Sequence, residues 1–159
     1  MKSQVSFVEF IATFLIFITF VAYYSLQLSN FVPRYIGLLE KEVKNSACLQ
    51  ISEILLKDKG EPENWEENPL SVERIGLSSG KKLYLSYEKI EAMQSLCDDN
   101  YTFVVESLGS EHNFSVTIIR KTDGSVILHC YPTHGSPSSS IRRFSSCGGE
   151  ECEVIIQIY

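Results

Sequence analysis

The chain predicts an α+β fold: a long N-terminal helix, membrane-spanning over its first half, packed on a small antiparallel β-sheet. Residues 10–33 carry no charged side chain and exceed the roughly 20 apolar residues that cross a bilayer as helix. Apolar residues then recur at Ile36, Leu39, Val43, Ala47, Ile51 and Leu55, three or four apart, as one helical stripe. The last third alternates in β-branched and aromatic residues between turn signals, which is the period of a sheet.

The apolar run is read as a retained span. A secretory signal has a short apolar region closed by a small-residue cleavage site, whereas Tyr23, Tyr24, Gln27 and Asn30 follow here without an A-x-A pattern. Tyr23 and Tyr24 suit the headgroup zone, or are two tyrosines on an ordinary helix. Counting basic residues does not favour an N-terminus inside, because Lys2 and the amino terminus stand before the run and Arg34, Lys41 and Lys44 close beyond it. The head before the run is too short for a translocated domain. Two acceptor sequons lie downstream, Asn100-Tyr101-Thr102 and Asn113-Phe114-Ser115. Together they predict a single-pass protein of the cell membrane with a cytoplasmic N-terminus: residues 1–9 a cytoplasmic head, 10–33 the transmembrane helix, and 34–159 an extracytoplasmic α+β domain.

The elements follow in order. Helical signals on both sides of Pro33 predict a kink and not a break, softened by Gly37. Lys57 and Lys59 suit the negative end of the helix, and Gly60 stops it. Residues 61–69, acidic and with two prolines, read as a surface loop in which Trp65 either pins the loop to the core or anchors a partner. Ser86 is placed to cap a short helix with Glu88 near its start and Ile90, Met93, Leu96 and Cys97 facing inward. Residues 101–107, 114–120 and 125–131 read as strands of an antiparallel meander, the last two joined by a turn at Asp123-Gly124. Residues 132–140 form a Ser/Pro/Gly-rich loop, and 153–159 a final strand.

Charge and cysteine content narrow the function. The chain has 14 basic and 20 acidic residues; Lys2 and Glu9 cancel, so the whole net charge of −6 belongs to the part beyond the apolar run. Nothing in that balance favours nucleic acid or an anionic surface. Five cysteines in so small an extracytoplasmic domain favour disulfides, with one left unpaired. Cys147 and Cys152 are candidates to close a small ring, and Cys48 and Cys97, both on expected core faces, to staple the two helices; reduced buried thiols are the alternative. A zinc site from Cys130, His134, Cys147 and Cys152, with His129 as substitute, has looser spacing than structural zinc sites use, so no metal or other cofactor is expected. Phosphate-loop, nucleophile-elbow and metalloprotease motifs are absent, and the acid pairs Glu66-Glu67, Asp98-Asp99 and Glu150-Glu151 fall in expected loops, so the chain is read as no enzyme.

A half-apolar helix followed by a small sheet is similar to the layout of type IV pilins. The start Gln4-Val5-Ser6-Phe7-Val8-Glu9-Phe10 resembles that of archaeal class III signal peptides. A second, weaker resemblance, carried by Leu55-Leu56, Gly60-x-Pro62-x-Asn64-Trp65, Ile75-Gly76-Leu77 and Leu85-Ser86-x-x-Lys89-Ile90, is to uncharacterised archaeal membrane proteins with pilin-like starts. The resemblance implies a prepilin-type signal peptidase that cuts before Gln4 or Val5 and leaves the apolar segment on the mature subunit. It also implies a cell-surface structural or assembly subunit whose partners are membrane lipid, other pilin-like subunits and an assembly platform, with Glu9 facing a neighbour's amino terminus. Independently, a carboxylate at bilayer depth costs about 3 kcal/mol on insertion scales, a cost that a neighbouring cation offsets. At headgroup level Glu9 is instead merely hydrated. Phe7, Phe10, Phe14, Phe17 and Phe20 recur at helical spacing, facing sister helices or lipid. The alternative function is a monomeric membrane-anchored binding module that forms no filament.

Overall fold

The apolar run and the amphipathic stripe form one α-helix, α1 (Lys2–Lys57). Pro33 lies inside it with helix on either side, so the ring removes a backbone donor without ending the element. The computed structural model describes residues 2–81, 83–132 and 135–159, with side chains from residue 7 onward. It divides into two units, Met1–Glu40 and Lys41–Tyr159. The described residues of the first are all helical.

The second unit is an α+β domain. After α1 come two single 3₁₀ turns (Trp65–Glu67 and Pro69–Ser71), β1 (Tyr84–Leu85), α2 (Tyr87–Ser107), β2 (Phe114–Arg120), β3 (Val126–Cys130), β4 (Ser139–Cys147) and β5 (Glu150–Ile158). The five strands form one sheet in the order β1-β4-β5-β2-β3. Two hairpins, β2–β3 and β4–β5, join through the antiparallel pair β2–β5, and the two-residue β1 adds a parallel edge to β4. The sheet is therefore mixed, not a simple antiparallel meander. Gly148 and Gly149, both at positive φ, turn the β4–β5 hairpin in the two-residue loop that matches strand twist.

The register puts Val154, Ile156 and Ile158 of β5 beside Phe114, Val116 and Ile118 of β2 on one face, all buried. Cys48, Ile51, Leu55 and Leu56 of α1 join the same core, with Ala47 packed against it, while Ile36, Leu39 and Val43 at the start of the stripe are exposed. The helix end is also tied back: Leu77 N–H donates to Leu55 O (3.0 Å) in the last turn and Ser78 N–H to Asp58 O (3.0 Å) just past it, from a returning segment.

Residues 101–107 are helical, which corrects the strand expected there. Asn100 leaves helical geometry (φ −153°, ψ 77°), and its Oδ1 accepts from Phe103 N–H (3.2 Å), starting a fresh helical turn. Val104, Ser107 and Leu108 are then buried at three- and four-residue spacing, a helical face and not the alternate residues of a strand. Ser86 does stand at the N-cap of α2, but its hydroxyl bonds the Glu88 carboxylate and not a backbone N–H.

α2 closes the outer edge of β3. The Gln94 side chain accepts from His129 N–H (2.7 Å) and faces His129 O with its amide nitrogen (3.5 Å), occupying strand-edge groups that would otherwise recruit another chain. Tyr101 ties the same helix to β2: its hydroxyl donates to Phe114 O (2.6 Å) and accepts from Phe114 N–H (2.9 Å). Burial pushes this phenol above the ordinary tyrosine range. The raised folded value means that its stabilisation is complete below the unfolded pKa of about 10 and is lost as pH rises through the folded value. Tyr101→Phe is expected to cost about 1–2 kcal/mol at neutral pH. It should also shrink the fall in stability above pH ~10, read from urea unfolding at several pH values.

Candidate functional site

Every described side chain between residues 7 and 40 is exposed. The segment is one helix long and apolar enough to cross a membrane, with none of its most apolar stretch buried. Three of its polar side chains bond within the same helix. Thr13 Oγ1 donates to Glu9 O (2.8 Å), Thr19 Oγ1 to Ile16 O (2.8 Å), and Gln27 Nε2 to Tyr23 Oη (3.1 Å). Such self-satisfaction is what a lipid environment requires, since lipid tails offer no hydrogen bonds. Aromatic rings pair at i,i+4, as Phe10–Phe14, Phe20–Tyr24 and Phe31–Tyr35, with centroids 6.4, 4.9 and 6.3 Å apart. Phe7, Phe10, Phe14, Phe17 and Phe20 are all exposed. Glu9 is the one ionisable acid in this apolar stretch before Arg34. Gln4 and Val5 belong to the helix, and their side chains lie outside the described residues.

The cysteines sort differently from one expectation. Cys147 and Cys152 are joined across the β4–β5 hairpin, with Cα atoms 6.0 Å apart. Cys97 is bonded not to Cys48 but to Cys130, its Cα 5.5 Å away, and staples α2 to β3. The reason is the extended α2, which carries Cys97 alongside the sheet edge, while Cys48 sits under β5 with its Sγ 4.0 Å from Ile156 O. Cys48 is free and buried, and burial, outweighing hydrogen bonds from its neighbours, pushes its thiol above the usual range. It is a core residue. Both disulfides consume the thiolates that a zinc site would use; His134 lies outside the described residues, and His129 Nδ1 meets Thr117 Oγ1 at 3.2 Å.

The residues of the second resemblance converge on one knot below the end of α1. Trp65 is fully buried, and its indole Nε1–H donates to Gly76 O (3.0 Å). A side chain at Gly60, whose φ is +86°, would strike that ring. One at Gly76 would strike the backbone of Asp58 and Gly60. Lys89, nearly buried on α2, donates from Nζ to Lys59 O and Glu63 O, each at 2.6 Å, with the Glu66 carboxylate 3.8 Å away. Glu61 and Arg74 pair across the loop through backbone bonds and side chains, and Arg74 also reaches Asp58 (2.8 Å). Trp65 therefore pins the acidic loop to the core. Lys89→Met keeps the apolar stem and orphans two carbonyls, so a loss of about 2–3 kcal/mol is expected. Amide exchange in residues 59–67 should quicken; unchanged protection there would show that Lys89 does not hold the loop.

The motif residues thus separate into two groups. Gly60, Trp65, Gly76 and Lys89 build structure, and the start of α1 carries the apolar surface with Glu9. Sequence reading missed Lys89's burial and Gln94's strand-like role, for which a polar residue on a helix gives no signal. No family model, curated protein or solved structure matches the chain.

Proposed function

We propose that this protein is a type IV pilin-like cell-surface subunit, anchored by its N-terminal helix and assembling with like subunits through that helix. The observation that carries the reading is a helical segment with no buried apolar side chain in its own fold and a single acid near its start. Apolar surface of this kind is covered by lipid, by sister helices, or by both in turn. Glu9 makes the second cover selective, because a carboxylate among apolar helices favours a neighbour that brings a cation. Two disulfides in the head support an extracytoplasmic location. The activity is mechanical, and the residues that carry it are Glu9 and the phenylalanines around it.

Glu9→Gln tests the reading. Leaving one member of a buried ion pair without its partner costs about 3–5 kcal/mol. Co-purification with other pilin-like subunits should therefore collapse while membrane insertion persists. Undiminished co-purification would favour the anchored binding module. Sequencing the N-terminus of the membrane-extracted protein tests the processing route: a start at Gln4 or Val5 supports prepilin-type cleavage, and retained Met1 or Lys2 removes it.

A further inference from the structure

We infer that Asn100 is an N-linked glycan acceptor and that the second sequon, at Asn113, is not. The inference rests on the extracytoplasmic placement of the head proposed above. The two tripeptides have equal standing as sequence, and the fold treats them differently.

Asn100 occupies the single break in α2. Helix precedes and follows it, yet its own backbone is not helical, so the side chain stands at a break and not within a helical wall. Its Oδ1 is held by Phe103 N–H (3.2 Å), and among the described residues nothing accepts from its Nδ2. That division of labour fixes the amide plane with the nucleophilic nitrogen outward. Asn100 and Thr102 are both exposed, and the residue between them turns the other way, with the Tyr101 hydroxyl locked to the Phe114 backbone. The acceptor amide and the hydroxyl that defines the sequon are therefore presented together, on a segment whose register is fixed from beneath.

Asn113 is also exposed, but its sequon runs straight into the sheet. Its carbonyl accepts from Tyr159 N–H (2.9 Å). Ser115 is buried in the pair with Gln157, and its hydroxyl donates to Gln157 Oε1 (3.3 Å). A transferase would have to unpair β2 from β5 to reach that hydroxyl.

The step joins Nδ2 of Asn100 to C1 of a saccharide carried on a lipid phosphate or pyrophosphate. The N–C1 bond forms as the C1–O bond to phosphate breaks. The lipid phosphate leaves with the bonding electrons, and one amide proton passes to a base of the membrane oligosaccharide transferase. No oxidation state changes. Oδ1 keeps its bond to Phe103 throughout, so the cap that restarts the helix survives modification.

The test is peptide mass mapping of the full chain, extracted from the membranes of a cell that glycosylates a co-exported reporter sequon, with the thiol state of the head read on the same sample. The expected result is a whole-saccharide mass increase on the Asn100 peptide and a bare Asn113 peptide. The increase should vanish in Thr102→Ala, which keeps the Asn100 cap, and persist in Thr102→Ser. A bare Asn100 with both disulfides formed overturns the inference and leaves the exported head standing. A bare Asn100 with free thiols at Cys97 and Cys130 overturns both. A mass increase that survives Thr102→Ala, or one on Asn113, overturns the assignment.

Discussion

Cys97→Ser combined with Cys130→Ser is expected to lower the unfolding free energy of the head by about 3–4 kcal/mol, the chain-entropy value for a loop of this length. The bond spans 33 residues and is the covalent link between α2 and the edge strand β3. The Cys147–Cys152 bond spans only 5 residues within a hairpin already closed by its own ladder. Its removal should cost about 2 kcal/mol on the same reasoning. Urea unfolding of the detergent-solubilised protein, oxidised and with each pair replaced, measures both. Equal losses for the two pairs would mean that loop length is not what these bonds act through. Cys48→Ser is the control, since that thiol is free and its replacement tests only a polar atom in the core.

Trp65→Ala should be as damaging, about 3–5 kcal/mol, because it empties a large fully enclosed site. The surroundings collapse poorly: Gly60 and Gly76 are backbone pressed against backbone and ring, with no side chain to swing into the space. Trp65→Phe retains most of the apolar volume and orphans Gly76 O, so a smaller loss of about 1–3 kcal/mol is expected. Thermal unfolding followed by circular dichroism ranks the two variants. Trp65 is the one tryptophan, so wild-type emission also reports the knot directly. A red-shifted, readily quenched signal in the folded protein would contradict its burial.

Much of this molecule was legible from local pattern. The long helix and its end near Gly60 follow from hydropathy and from a stop signal that lies within a few residues of the true end. The β2–β3 hairpin and the core position of Trp65 follow from alternation and from the size of one apolar ring in a charged loop. β4 was not legible. Its sequence, Ser139-Ser140-Ile141-Arg142-Arg143-Phe144-Ser145-Ser146-Cys147, alternates too weakly, and the strand exists because every residue in it pairs with β5. Residues 101–107 misled for the opposite reason: aromatic and β-branched side chains favour strand locally, and the cap at Asn100 with the anchor at Phe114 overrules them.

Hydropathy and periodicity alone establish that one end of the chain is an apolar helix with a lone acid near its tip, and that the other is an α+β head. Those properties depend on neighbours three or four positions away, which a linear reading contains. Long-range packing sets which cysteine meets Cys97, that a lysine is buried at the acidic loop, that a glutamine closes the sheet edge, and that the Asn113 sequon is locked into the sheet. Each of those outcomes joins residues far apart in the chain, where the partner is chosen by how helix and sheet pack and not by spacing.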